Sequence, residues 1–215
     1  SSSWGKGHAT LWRGLTRSLA KRGHQVIFFE RDVPYYAYHR DLWEIPGGKL
    51  VLYSEWEDVR WQAEQELADA DAGMVTSYCP DALAASDLVL SSSASIRTFY
   101  GLDTPVTLHQ LSVGGDGSYL PPDGLGDFDL VLSYTGGRAL NELKTRLGAR
   151  RTVALYGSVD PDVHHPVPPR QPFRGDLSYL GTYSPDRQPT LERLLIEPAR
   201  RCPDRRFVVA GPQYP

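Results

Sequence analysis

Cysteine is scarce: Cys79 and Cys202 are the two thiols in 215 residues, they stand far apart, and no C-x-x-C joins them. That spacing argues against a redox couple and for a reduced, cytoplasmic setting in which both cysteines are buried without a redox role. Also missing is any apolar run near the roughly 18–20 residues of a membrane span, and the opening residues do not read as a signal peptide. There is no basic excess. The 23 Lys and Arg face 26 Asp and Glu, for a formal net charge of −3, which argues against nucleic acid as the main partner. Two catalytic signatures are absent as well: without GxxxxGK[ST] there is no P-loop, and without GxSxG there is no nucleophile elbow for Ser/His/Asp catalysis.

What is present is a 40% hydrophobic fraction, enough for a globular core, and a length that suits one domain plus part of another. Apolar runs bounded by turn residues alternate with helical patterns, which predicts a parallel sheet with helices on both faces. Gly5-Lys6-Gly7-His8 opens a helix with Leu11, Leu15 and Leu19 on one face; Gly23 stops it, and a strand follows over 26–30. Asp32 reads as an N-cap with Pro34 in the first turn of a short aromatic helix reaching about residue 42. Further strands are predicted at 50–53, 72–76, 96–100, 130–132 and 153–156, and helices at 57–69, 82–90 and 138–147. Residues 109–127, rich in glycine and proline, read as a long and functional loop. The proline-rich stretch 161–172 reads as an interdomain linker. Beyond it, a strand at 177–180, a helix at 189–201 and a strand at 206–210 begin a second unit. The chain opens within what reads as a strand-to-loop junction and closes just after a second-unit strand, so a piece of a longer protein is expected.

Several groups could carry chemistry. Gly5 and Gly7 ahead of a helix start let backbone N–H groups approach a ligand, where the helix dipole favours negative charge. His8, at the mouth of that loop, suits a general base on a hydroxyl or a donor to a phosphate or sugar oxygen, with bracing of the first helical turn as the structural alternative. Glu30 ends a strand where a dinucleotide-binding acid would sit, but Thr10 stands where the third Gly or Ala of GxGxxG is required. Asp103 and His109 flank another strand end, and Tyr134-Thr135-Gly136-Gly137 repeats the strand, glycine turn, helix arrangement. In the second unit, the Gly181, Thr182, Tyr183, Ser184 and Arg187 loop could cradle a diphosphate, or Ser184 or Asp186 could simply cap the helix. Asp160, Asp162, His164 and His165 raise a metal hypothesis, with a solvated linker as the simpler reading.

These residues resemble a known family. Ser2-x-Trp4-Gly5-x-Gly7-His8-Ala9-Thr10 and the Arg22-Gly23-His24-x-Val26 helix stop resemble the N-terminal half of GT-B glycosyltransferases, closest to the CgeB-like, spore-maturation-type group related to family 4-like glycosyltransferases. Glu30-Arg31-Asp32-Val33-Pro34-Tyr35-Tyr36, Thr76-Ser77-Tyr78-Cys79-Pro80, Asp103-Thr104-Pro105-Val106 and Ser133-Tyr134-Thr135-Gly136-Gly137 also look like that group. Tyr156-Gly157-Ser158-Val159-Asp160-Pro161 is similar to the strand end before the linker, and Leu180-Gly181-Thr182-Tyr183 to the donor-domain opening. Thr182 stands where many retaining relatives carry Arg, which leaves the phosphate contact to Arg187.

The resemblance implies two Rossmann-like, doubly wound α/β domains: 1–160 on the acceptor side, a linker at 161–175, and the start of a nucleotide-sugar domain at 176–215. It implies transfer of a sugar from a nucleotide-activated donor to a glycan or small-molecule acceptor hydroxyl at the interdomain crevice. His8 and Asp103 are then the catalytic pair, and Gly5, Gly7, Tyr134, Gly136, Gly181, Thr182, Tyr183 and Arg187 contact substrates. The nucleotide sugar is a substrate, so no cofactor and no obligatory metal are expected. A catalytically silent carbohydrate-binding or spore-coat interaction protein would share the fold. An NAD(P)-dependent oxidoreductase would need Glu30 to hold a ribose.

Overall fold

The computed structural model describes residues 1–3, 7–115, 117–211 and 213–214. They form two compact units, Ser1–His164 and His165–Pro215, each built of parallel strands with helical crossovers in a mixed α/β, Rossmann-like manner. In chain order the first unit contains α1 (His8–Lys21), β1 (Val26–Arg31), α2 (Pro34–Tyr38), β2 (Gly48–Tyr53), α3 (Trp56–Ala68) and β3 (Ala72–Thr76). It continues through α4 (Ala82–Ser91), β4 (Ile96–Gly101), α5 (Thr104–Ser112), β5 (Leu130–Ser133), α6 (Arg138–Leu147) and β6 (Thr152–Ala154). The strands make two parallel sheets, β1-β2 and β3-β4-β5-β6.

Side chains alternate across a sheet, so neighbouring residues of β4 serve opposite faces. Phe99 lies in one row with Val75 and Val131, and this row packs under Val89 of α4 and Leu143 of α6. Tyr100 points the other way, into a second cluster with Leu11 and Trp12 of α1. The Trp12 indole stands edge-on to both Phe28 of β1 (5.2 Å) and Tyr100 (5.7 Å), a favoured aromatic arrangement. Burying that ring fixes α1 over the carboxyl halves of the strands. Asp81, just before α4, accepts from the Tyr53 hydroxyl at 2.9 Å and from Arg31 at 3.1 Å, and so ties the ends of β1 and β2 to the turn after β3.

Several expectations require correction. A helix over Thr104–Ser112 was not expected, and its last four residues overlap the loop expected at 109–127; Pro105 sits in the first turn, where a missing N–H is harmless. The segment after α5 is no free loop either. It sends Tyr119, Leu125 and Phe128 into the core, where Leu125 and Phe128 are essentially inaccessible. Asp32 caps nothing: Val33 holds the N-cap position of α2, the helix ends at Tyr38, and the Asp32 carboxylate pairs with Arg40. β6 stops at Ala154, and the Leu155 carbonyl accepts from the Tyr100 hydroxyl instead. Cys79 is half-buried and Cys202, at the end of the last helix, is exposed.

The turn after Gly157 is fastened to α1. Gly14 lets the backbone of Val159 and Asp160 lie against the helix, since a Cβ there would stand 3.0 Å from the Asp160 nitrogen. Arg17 meets the buried Asp160 carboxylate at 3.0 Å, and Lys21 pairs with Asp162. Asp160 also closes the turn, accepting from the amides of Asp162, Val163 and His164. These two aspartates are therefore engaged with α1, and among the described residues no set of three His, Cys, Asp or Glu side chains gathers in a metal-binding arrangement.

The second unit contains a 3-10 turn at Gln171–Phe173, β7 (Leu177–Leu180), α7 (Gln188–Leu191), a π turn (Glu192–Ile196), α8 (Glu197–Arg201) and β8 (Phe207–Ala210). The helix expected at 189–201 is thus interrupted. Pro198 has no N–H for the Leu194 carbonyl and its ring crowds that oxygen, so the helix widens there. β7 and β8 pair in parallel, and among the unit's described residues Leu191 and Leu195 are the buried hydrophobic ones. Among the described residues no helix is long and apolar enough to cross a membrane.

Candidate functional site

Parallel strands release their chains at one edge, and that edge is where ligands meet open α/β sheets. In the first unit the carboxyl ends of β3, β4 and β5 are held by small buried hydroxyls that replace the ladder where it stops. Ser77 accepts from the Leu102 amide at 2.8 Å. Ser133 bonds the Thr104 hydroxyl at 2.8 Å, donates to the Thr135 carbonyl and accepts from the Thr135 amide. All three hydroxyl residues are at most 2% exposed. Their effect is to hold in place the turns that carry Tyr78, Asp103 and Tyr134.

His8 begins α1 and Asp103 precedes α5, and the fold brings them together. His8 Nε2 lies 3.9 Å from Asp103 Oδ2, within electrostatic reach and beyond hydrogen-bond length. The side chains are 23% and 49% exposed, so a solute can reach both. The Tyr134 ring lies 6.2 Å from the His8 ring. Tyr134 and Tyr156 lie crosswise: the Tyr156 hydroxyl sits over Gly136 and the Tyr134 hydroxyl over Gly157, so a side chain at either glycine would displace a ring. Gly137 has φ +64° and ψ −131°, a conformation open to glycine alone, and it turns the chain from Tyr134 into α6.

Sequence reading met Tyr78 only inside a family-like motif, with no role of its own, and did not single out Tyr119. Tyr78 adopts φ +62°, which nothing in its residue type announces. Its ring packs 4.9 Å from that of Tyr119, whose hydroxyl bonds Thr107 at 2.7 Å. Burial, then the neighbouring Tyr119 and Asp103, push the Tyr78 hydroxyl up to about 12, so it remains a proton donor at neutral pH. His109 faces solvent from α5. Gly7 occupies the N-cap position of α1 with φ −56°, and Gly5 lies outside the described residues.

Glu30 is committed elsewhere: its carboxylate accepts from the Ser1 and Ser2 hydroxyls and from the Ser2 amide.

In the second unit Gly181, Thr182, Tyr183 and Arg187 follow β7. The Gly181 amide donates to the Ala210 carbonyl at 3.0 Å, extending the ladder one step. The Ser184 carbonyl accepts from the Arg187 and Gln188 amides, and its hydroxyl donates to Asp186. That bond holds the Asp186 carboxyl below its usual range, and Ser184 serves the loop's own turn. Arg187 is exposed. Beside the loop a cavity of about 480 Å³ is lined by Tyr183, Gln188, Leu191, Val209 and Tyr214. Comparison with protein-family models, with curated proteins and with solved structures found no match.

Proposed function

We propose that this chain belongs to a GT-B-type glycosyltransferase of the CgeB-like group and moves a sugar from a nucleotide-activated donor to an acceptor hydroxyl. The observation that supports this most is the approach of His8 and Asp103, far apart in sequence, at the ligand-binding edge of a parallel sheet. In this reading the acceptor oxygen attacks the anomeric carbon while the bond from that carbon to the diphosphate breaks. His8 takes the acceptor proton, and Asp103 favours the imidazolium that results. Tyr78 and Tyr134 offer hydroxyls to sugar oxygens. Arg187 and the loop amides of the second unit balance the charge growing on the departing nucleoside diphosphate. The site needs no metal for these steps, and the nucleotide sugar is a substrate. An oxidoreductase reading would require Glu30 to hold a ribose, a role its bonds to Ser1 and Ser2 oppose. A silent carbohydrate-binding protein of the same fold is the outcome if no donor supports turnover.

The test pairs titration with free nucleotide and steady-state transfer across a panel of nucleotide sugars. His8→Ala should slow turnover while leaving nucleotide dissociation constants nearly unchanged. Arg187→Ala should lose roughly 10- to 150-fold in transfer, the range of one charge-assisted contact, with Lys restoring part of it. If His8→Ala weakens nucleotide binding as much as it slows turnover, His8 is no base. If Arg187→Ala changes neither quantity, the donor loop is misassigned.

A further inference from the structure

The glycine- and proline-rich segment between α5 and β5 is pinned at both ends. At its start the Gly115 amide donates to the Gln110 carbonyl at 2.8 Å. Further on, the Leu125 amide donates to the Leu147 carbonyl at 2.7 Å, and the Phe128 ring packs 5.7 Å from Phe99 of β4. Between these anchors Tyr119 is 7% exposed, and its hydroxyl bonds Thr107 of α5 at 2.7 Å. The Thr107 hydroxyl donates to the Asp103 carbonyl at 3.3 Å, so the proton between Thr107 and Tyr119 comes from Tyr119. The Tyr119 oxygen then keeps lone pairs for the phenol stacked beside it, that of Tyr78. Tyr78 reaches that place at a cost. Its φ of +62° is disfavoured for any residue with a Cβ and is easier for Gly or Asn. The Ser77 amide, donating to the Tyr100 carbonyl at 3.0 Å, and the Cys79 amide, donating to the Thr76 carbonyl at 3.4 Å, hold the chain on either side of it. Backbone strain maintained for a ring that is 38% exposed marks a demand on the side chain beyond packing.

We propose that Tyr119 is a positioning residue of the site: from the buried side it holds the Tyr78 phenol toward Asp103, so that the segment after α5 shapes the site without touching the ligand. The contact of Tyr78 with a sugar oxygen rests on the transferase reading; its being held by Tyr119 does not. Three stretches of chain far apart in sequence meet here, the turn after β3 with Tyr78, the start of α5 with Asp103 and Thr107, and the segment with Tyr119. The groups that act on the Tyr78 hydroxyl are those same neighbours, Tyr119, Asp103 and Thr107, after burial itself. A tyrosine on an exposed turn has open water to swing into, and the Tyr119 ring, fixed by its own anchors, closes off one side. If position 119 served packing alone, phenylalanine would fill it equally well. The hydroxyl is needed only by Thr107 and by Tyr78, and this difference separates a positioning role from a structural one.

The test uses the full chain, nitrated with tetranitromethane at pH 8 and read tyrosine by tyrosine from peptide masses, with the exposed Tyr38 as internal reference. The reagent attacks the phenolate, so a hydroxyl pushed up to about 12 should react slowly. Tyr119→Phe, which keeps the buried ring, should speed nitration of Tyr78 relative to Tyr38 about 3- to 10-fold, as the phenol returns part of the way to its ordinary value. Tyr78→Asn should keep or raise the urea midpoint, because asparagine suits the backbone there. An unchanged Tyr78 rate in Tyr119→Phe, equal acceleration at Tyr38, or a Tyr78→Asn chain that no longer folds would each overturn the proposal. Where transfer is measurable, Tyr78→Phe and Tyr119→Phe should each lower kcat/KM about 2- to 12-fold, the range of one neutral hydrogen bond. The double variant should lose no more than Tyr78→Phe alone, since one residue acts through the other. Additive losses would overturn the positioning role. Selective acceleration at Tyr78 without turnover of any nucleotide sugar sinks the transferase reading alone, while turnover with unaltered nitration sinks the positioning role alone.

Discussion

Tyr100 shows how a single residue can serve both faces of the design. Its ring is fully buried against Trp12, and its hydroxyl donates to the Leu155 carbonyl at 2.7 Å, one residue past the end of β6. Burial, then the nearby Tyr134, push this hydroxyl up to about 12 from an ordinary value of 10.0. A folded-state pKa raised above the unfolded one gives stability that is complete below pH 10 and is lost as pH rises through about 12. Tyr78 moves in the same direction. Urea midpoints should therefore fall between those two pH values, and Tyr100→Phe should show a shallower fall. At neutral pH the same variant should lose about 1 kcal/mol, the worth of one hydrogen bond; an unchanged alkaline profile would remove Tyr100 as its cause.

Among the elements, α1 and α6 were legible because their leucines keep helical spacing, and the strands because each is a short apolar run between turn residues. α5 was not. Pro105 reads as a stop in a sequence crowded with glycine further on, whereas in place it opens a helix. The π turn was hidden for the opposite reason, since a proline late in a helical pattern does not say whether the helix ends or widens. For the site, His8 and Asp103 could each be picked out at an element's start, but their proximity depends on the burial of Trp12 and on the Ser133–Thr104 bond. The strand-end glycines also differ in kind. Gly137 holds a glycine-only conformation, so Gly137→Ala should destabilise the fold by roughly 1–3 kcal/mol in urea or thermal unfolding. Gly7 has an ordinary helical φ and no described neighbour within 4 Å of an added Cβ, so Gly7→Ala should leave stability almost unchanged. Activity lost in the second variant would then report ligand approach to the α1 turn, while equal destabilisation in both would mean Gly7 is needed by the fold.

At the scale of the whole molecule the two units differ in how much they bury. β4 and β5 lie inside a four-stranded sheet with Phe99, Tyr100 and Val131 shielded on both faces, whereas β7 and β8 form a pair with most positions open to water. Hydrogen exchange should leave the β4 and β5 amides protected longest and those of β7 and β8 exchanging far sooner, with unfolding in more than one step. A single cooperative transition with uniform protection would contradict this. The fastening of Asp160 and Asp162 to α1 also sets the length of a leash. Proline begins at Pro161, but the slack begins only after His164 and ends at the 3-10 turn of Gln171. The intervening stretch, 165–170, includes Pro166, Pro168 and Pro169, and an extended polyproline path of that size reaches about 19 Å. Linker length sets the effective concentration of groups on its two sides, whatever arrangement the units adopt. Under the proposed transferase reading, inserting Gly-Ser repeats after His165 should lower transfer about threefold for each doubling of flexible length, with no change in nucleotide affinity. A rate indifferent to the insertion would mean that linker length does not govern the reaction.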